Sequence, residues 1–248
     1  MTEWPKDTYV LVPSYKSAGH LKRFINTLTA VVPKEYILIV DDASRDGTYE
    51  FCAEQGINCI RHSVNKGKGA ALRTGFAHLA ENINTKWIVT MDADGQHSPA
   101  DLPRFLSAAR KPPAAGLIIG SRDMRLGAMP PARILSNRLT SLMLSILSGQ
   151  WIKDSQCGYR MYSREFVASV QIKYNRFEME SEVILRAAAK KIPITFVRAQ
   201  TLYLKEGSSH ISHFIDTLRW VRAVSILWLG LKFKGKTNGK SGKNCVWR

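Results

Sequence analysis

Residues 88–98 read IVTMDADGQHS. An apolar run ends at two carboxylates, Asp92 and Asp94, which are separated by one alanine and followed by Gly95. The run reads as a buried strand and the acids as its carboxyl end. Two carboxylates so placed repel each other and lose hydration unless a positive group lies between them. Residues i and i+2 of an extended chain point the same way, so the pair is expected to share one cation. A hard divalent ion fits: Mg²⁺ or Mn²⁺ takes one or two carboxylates and completes its shell with phosphate oxygens. Such an ion also neutralises charge that builds on a diphosphate leaving group. His97 reads either as a further Mn²⁺ ligand or as a solvated loop residue.

Working outward, five more strands are expected: YVLVP (9–13), YILIVDD (36–42), CIRH (59–62), GLIIGSR (116–122) and ITFVRAQTLYL (194–204). Three of the six have continuous apolar cores, the pattern of strands covered on both faces. Amphipathic segments alternate with them: HLKRFINTLTAVV, GTYEFCAEQ, GAALRTGFAHLAENI and PADLPRFLSAARK. For the last, Ser98 is the expected N-cap, with Pro99 at the first helical position and Asp101 completing a box-like pattern. This order predicts an α/β protein with a mostly parallel, doubly wound sheet, whose ligands bind beyond the carboxyl ends of the strands. Pro13-Ser14-Tyr15, Asp41-Asp42, Asp92-Ala93-Asp94 and Ser121-Arg122 all lie at such ends and should meet in one crevice. The segment 149–166 reads as loop, and FEMESEVILRAAAKK (177–191) as a helix.

The chain has 248 residues, and 36 Lys and Arg stand against 20 Asp and Glu, a formal charge of +16. That balance implies anionic partners such as phosphorylated molecules, an acidic membrane surface or nucleic acid. The four cysteines show neither metal-like pairing nor a disulfide framework, and no apolar stretch reaches the ~18 residues of a bilayer span. Reduced thiols and a cytoplasmic location are expected.

Three basic loops carry the remaining chemistry. NKGKGAALRTGF (65–76) sets Lys66, Lys68 and Arg73 around a Gly-punctuated helix start, where free backbone N–H groups favour phosphate; a solvated turn is the alternative. GSRDMRLGAMPPARILSNRLTSLMLSIL (120–147) places Arg122, Arg125, Arg133 and Arg138 around a Pro-Pro turn that leads into an apolar helix. Leu135, Leu139, Leu142, Met143 and Ile146 on that helix read as core; arginines beside an apolar surface would also suit a phosphate on a greasy chain. KDSQCGYRMY (153–162) holds Asp154, Gln156 and Arg160 about a glycine.

In order, VPSYKSAGHL, VDDASRDGT, NKGKGAALRTG, MDADGQH, GSR, the Arg133 helix, DSQCGYR and FEMESE resemble family 2 glycosyltransferases, specifically the polyprenyl-phosphate (dolichyl-phosphate) sugar synthase group. The resemblance spans about residues 8 to 205. It implies the nucleotide-diphospho-sugar transferase (GT-A type) fold and inverting transfer to a lipid phosphate. It further implies nucleoside contacts from Asp41 and Asp42, with Pro13 and Tyr15 shaping that pocket, and a metal site of Asp92 and Asp94 with Gln96 close by. Lys66, Lys68 and Arg73 then face the donor diphosphate, and Arg122 and Arg133, with Ser136, the acceptor phosphate. Asp154, Gln156 and Arg160 line the sugar and diphosphate end. Where the family has Asn-Glu after the first-loop tyrosine, this chain has Lys16-Ser17, so the usual base or ribose contact is not implied. DSQCGYR is closer to glucosyl-type than mannosyl-type members, which favours a UDP-sugar over GDP-mannose.

An ionised lipid phosphate attacks without a strong base, so positioning and electrostatic stabilisation would carry catalysis. A hydroxyl acceptor, on a glycolipid or a soluble molecule, would need a base, and Asp154 is then the candidate. Residues 1–212 are expected to form the catalytic domain and 234–248 a basic tail. Between them, 213–233 is expected as an amphipathic helix, either on an anionic membrane surface at its cytoplasmic face or packed on the core. A nucleic-acid-binding module lacks any supporting motif, and a homodimer is left open.

Overall fold

The computed structural model describes residues 3–111, 115–124, 129–201 and 213–237. Along the chain these form β1 (Thr8–Ser14), α1 (Ala18–Thr29), β2 (Ile37–Asp41), α2 (Thr48–Gln55), β3 (Asn58–Arg61), α3 (Lys68–Asn82), β4 (Trp87–Thr90) and α4 (Leu102–Ala109). There follow β5 (Leu117–Ser121), α5 (Pro131–Ser148), β6 (Arg160–Ser163), α6 (Arg164–Ser169), α7 (Glu178–Ala189), β7 (Ile194–Arg198) and α8 (His213–Thr237).

One sheet holds the strands in the order β3-β2-β1-β4-β6-β5-β7. β1 pairs in parallel with β2 and β4, β2 with β3, and β5 with β7. The apolar runs of β1, β2, β4 and β5 are buried because helices cover both faces, as their unbroken hydrophobicity predicts. α1 buries Leu21, Phe24, Ile25 and Leu28, one stripe at helical spacing. α3 lies close on β1 at Gly75, where a Cβ would stand 2.2 Å from a Leu11 methyl. The crossover direction reverses between β1 and β4, and the crevice at that switch point is where the acid-bearing strand ends arrive.

Several expectations are corrected. The segment 149–166 is not all loop: it contains β6, which runs antiparallel between β4 and β5, and then α6. Four residues that begin with an arginine give no strand signal, yet Arg160, Met161 and Tyr162 are all buried. β4 ends at Thr90, so Asp92 and Asp94 sit in the turn beyond it, with Gly95 at φ +72, and not on an extended chain. The box at 98–101 does not form. Residues 99–101 make a 3₁₀ turn before α4, and Ser98 makes no side-chain cap. Asp101 instead accepts from Arg104 and from the Gln200 N–H at 2.6 Å, tying this turn to the end of β7. β7 itself stops at Arg198; Leu202, Tyr203 and Leu204 lie outside the described residues, as do Arg125, Cys245 and the tail from Asn238.

Candidate active site

The turn after β4 already contains a cation. Lys68 Nζ, from the first residue of α3, lies 2.8 Å from Asp92 Oδ1 and 2.7 Å from Glu180 Oε1 on α7. Burial raises the cost of the Asp92 charge, but the Lys68 ammonium more than offsets this, and the carboxyl stays below its ordinary range. Asp94 is the opposite case: burial, and then the Asp92 charge, push it up. Its Oδ1 accepts from the Gln96 N–H at 2.9 Å, which shapes the turn. His97 is buried and not solvated. Its ring stacks on Tyr159, and its Nδ1 accepts from the Asp92 N–H at 3.1 Å. Among the described residues no group of three or more His, Cys, Asp or Glu converges to hold a metal. The donor set is two carboxylates, the part that a Mg²⁺ or Mn²⁺ shared with a diphosphate requires of the protein. The resident ammonium shows that the place attracts a cation.

Gly158 faces this pair from the loop before β6. A Cβ there would stand 2.6 Å from Asp92 Oδ2 and 3.0 Å from Lys68 Nζ. The Thr90 hydroxyl holds that loop in place by donating to Gly158 O at 2.8 Å. Gly158→Ala is therefore expected to push Asp92 aside and weaken metal-dependent nucleotide binding at least tenfold while the melting temperature changes little. Unchanged Mn²⁺–UDP binding by calorimetry would sink this reading.

Asp42 and the glycine loop form a closed unit. Its carboxylate accepts from the Lys66 N–H (2.9 Å), the Gly67 N–H (2.7 Å) and His62 Nδ1 (2.7 Å). The Gly69 and Ala70 N–H groups, at the start of α3, donate to Asn175 O. Arg73 points to the same loop, on Lys173 O, Tyr174 O and Asn175 Oδ1. Those N–H groups and Arg73 therefore serve the loop internally and are not the open phosphate cradle expected. Asp41 differs. One oxygen accepts from the Ser44 N–H at 3.0 Å, while buried Oδ2 has no hydrogen bond and is ion-paired to Arg61 Nε at 3.4 Å. Pro13 is buried on β1, and Tyr15 is exposed just beyond it beside Lys16, whose backbone sits at φ +51.

Asp154, the candidate base, has both oxygens occupied. It is fully buried, and its two oxygens accept from Arg122 Nε (2.8 Å), Arg122 NH2 (2.9 Å), the Arg122 N–H (3.1 Å), Asn137 Nδ2 (2.7 Å) and the Gln156 N–H (3.2 Å). Burial alone would raise its pKa; the Arg122 guanidinium outweighs burial and holds it low. Arg160 is also corrected. It is fully buried and donates to Cys157 O, Glu180 O and Ser155 O at 2.7–2.8 Å, so it fastens the 153–160 loop rather than facing a ligand. Gln156 reaches Ser136 Oγ and Thr140 Oγ1 on α5. Arg133 is half-buried one turn into α5. Beside Arg122 opens a cavity of about 430 Å³, lined also by Ser121, Lys153, Phe196 and Arg198; it adjoins the site through Arg122 and does not reach Asp92 or Asp94.

α5 overturns most of its expected core stripe, of which Met143 alone packs against the core. Its inward residues are Ile134, Asn137, Ser141 and Leu144, while Leu135, Leu139, Leu142 and Ile146 are 51–73% exposed, as is Trp151 at 70%. The inner face is polar because Asn137 supports Asp154 and Ser141 binds Ser155. α8 packs on the domain: Trp220 Nε1 donates to Ser181 Oγ, Trp228 Nε1 to Leu147 O, and Tyr174 OH to Ala223 O. Its far side exposes Val221, Ile226 and Leu229. Among the described residues no helix is long and apolar enough to cross a membrane.

A sequence profile for Glycosyl transferase family 2 matches residues 9–170. The chain belongs to this family. Relatives of the family 2 transferase include a UDP-N-acetylglucosamine–dolichyl-phosphate N-acetylglucosaminyltransferase of Methanococcus voltae, 30% identical over 79% of this chain and 85% of the relative. An undecaprenyl-phosphate mannosyltransferase of Micrococcus luteus is 28% identical over 90% of this chain and 96% of the relative. Among solved structures, glucosyl-3-phosphoglycerate synthase of Mycobacterium tuberculosis, crystallised with Mn²⁺, UDP and its product, superposes with a TM-score of 0.68 at 16% identity. That superposition covers 91% of this chain and 80% of the synthase. The fold of this family 2 transferase is thus the GT-A type, with one α/β sheet carrying the strand ends just described.

The sequence reading of the transferase missed Glu180, Asn137, Gly158, Lys153 and Arg198. Glu180 lies within FEMESE, but nothing local reveals that α7 delivers it to Lys68, 112 residues away. Asn137 sits among apolar residues, and a polar residue on the quiet face of a greasy helix was the available signal.

Proposed function

We propose that this transferase moves a hexosyl group, with inversion, from a nucleoside-diphosphate sugar to a polyprenyl phosphate, using Mg²⁺ or Mn²⁺ at Asp92 and Asp94. The observation that carries the donor half is the acid pair at the β1–β4 switch point, with a lysine already seated on Asp92. The metal, when bound, would neutralise charge growing on the leaving diphosphate. Lys68 stands ready as a second positive group for that charge. Asp41, buried at the end of β2 with its second oxygen paired only to Arg61, is our assignment for the nucleoside contact, beside Pro13 and Tyr15; Asp42 orders the 65–67 loop. A UDP-sugar is favoured over GDP-mannose by the DSQCGYR segment.

For the acceptor, the relatives named for dolichyl- and undecaprenyl-phosphate cover most of this chain. The structure adds a physical reason: Asp154, the base that a hydroxyl acceptor would need, has both oxygens filled and is held ionised by Arg122. A phosphate nucleophile needs no base; it needs cations, and Arg122 and Arg133, with Ser136, are our assignment for them. The test uses labelled UDP-glucose, UDP-N-acetylglucosamine and GDP-mannose with Mn²⁺, offered polyprenyl phosphate or the matching polyprenol. Transfer to the phosphate alone is expected. Transfer to the alcohol alone would overturn the assignment.

The same reading accounts for the inverted helix. The exposed stripe of α5 begins at Leu135, two residues after Arg133, and runs to Ile146, with exposed Trp151 beyond the helix; Arg138, Lys153 and, on α8, Arg222 are exposed cations of the same segments. We assign this face and α8 to an anionic bilayer surface, which places the catalytic unit of residues 1–212 on the membrane as a peripheral protein, in our reading on the cytoplasmic side. Burying a Leu side chain that is half in water yields about 1 kcal/mol. Leu139→Glu with Leu142→Glu is therefore expected to reduce co-sedimentation with anionic vesicles at least tenfold. Equal binding of the double variant, or none by the parent chain, would reject the surface.

A further inference from the structure

The transferase closes its own metal site with Lys68. Two acids, Asp92 and Glu180, hold one ammonium in ion pairs of 2.8 and 2.7 Å, and Asp94 lies two residues from the first of them. Both partners are largely shielded, and Lys68 is held from three further sides. Its own peptide is fixed at the head of α3 by the Gly69 N–H bond to Asn175 O at 2.7 Å. Gly158, lacking a side chain, leaves it the space beside Asp92. The Phe177 ring lies 5.9 Å from Nζ. An ammonium so placed competes with any divalent ion for Asp92 Oδ1, because two cations cannot share that oxygen without strong mutual repulsion.

From this geometry we infer that Lys68 is an internal surrogate cation, which makes divalent-metal binding conditional on the arrival of a diphosphate. With metal alone, Lys68 must leave Asp92 and gains no new anion, so exchange is unfavourable. A nucleoside diphosphate changes the balance by offering Lys68 a second anionic partner, while Glu180 continues to hold it. Metal and nucleotide then bind cooperatively, and by reciprocity each raises the affinity of the other by the same factor. The surrogate also offsets part of the acid cluster's charge between turnovers.

This inference rests on the donor-site reading above, and its test separates the two. Mn²⁺ binding is followed by the loss of the free-ion EPR signal, with and without UDP, in the parent chain, Lys68→Met and Lys68→Arg; circular dichroism checks folding. In the parent chain Mn²⁺ alone is expected to bind weakly, and UDP to tighten it at least tenfold. Lys68→Met should bind Mn²⁺ alone at least tenfold more tightly than the parent, and the gain from UDP should shrink toward unity. Lys68→Arg, which keeps a cation there, should behave like the parent. If Lys68→Met is folded and shows parent-like Mn²⁺ affinity and an undiminished UDP effect, the surrogate role is wrong while the donor site stands. If no form binds Mn²⁺ with UDP, the donor-site reading fails as well.

Discussion

Asp92→Asn is expected to lower transfer by about 10³-fold or more, equal to about 4 kcal/mol of lost transition-state stabilisation. Asp94→Asn should lower it comparably, since each supplies one of only two carboxylates. The two variants should nevertheless part company in stability. Asp92 is stabilised as an anion by Lys68, so neutralising it leaves that ammonium with Glu180 alone and should lower the melting temperature. Asp94 is strained as an anion by burial and by Asp92, so neutralising it should leave the melting temperature equal or higher. Transfer assays with excess Mn²⁺, run beside thermal melts, check both halves. Full activity of either variant in excess EDTA would remove the metal role.

Asp154→Asn is expected to unfold more easily by about 3–5 kcal/mol, because removing one member of a buried pair strands the other charge. For a chain of this size that corresponds to a fall in melting temperature on the order of 10 °C. Desolvation of Asp154 opposes its ionisation, yet five donors, two of them from one bidentate guanidinium, win. The pH dependence follows with a definite sign. Asp154 titrates lower in the folded chain than in the unfolded one, so its contribution is complete above about pH 4 and fades as the pH falls through its folded value. The stability gap between parent and variant should therefore narrow on acidification; a gap that widens would mean that Asp154 does not carry it. Activity should fall as well, because Arg122 loses its orientation, but the acid limb of the pH profile, where a general base would be protonated, should not vanish. Disappearance of such a limb would restore Asp154 as the base.

The local sequence determined the parallel half of the sheet. Short, β-branched apolar runs such as ILIV and LIIG, bounded by turn residues, have the pattern of strands covered on both faces, and the polar residues that follow them then lie at their carboxyl ends. Family motifs added the class of chemistry, because DADGQH and VDDASRDGT occur in a fixed order that short-range periodicity does not produce. Residue by residue, several of the named side chains are spent inside the fold. Arg73, Arg160 and Asp154 are basic or acidic residues in the correct region, yet each is satisfied internally.

What the sequence alone could not decide is where charges find their partners. Lys68 meets Glu180, Arg122 meets Asp154, and Arg160 meets the α7 backbone across separations that only the completed fold brings together. The antiparallel β6 is the device: inserted between β4 and β5, it carries the 153–160 loop over the acid turn. The orientation of α5 was equally hidden. An amphipathic pattern shows that a helix has two faces, whereas which face turns inward depends on what waits there, and here a buried carboxylate required the polar one.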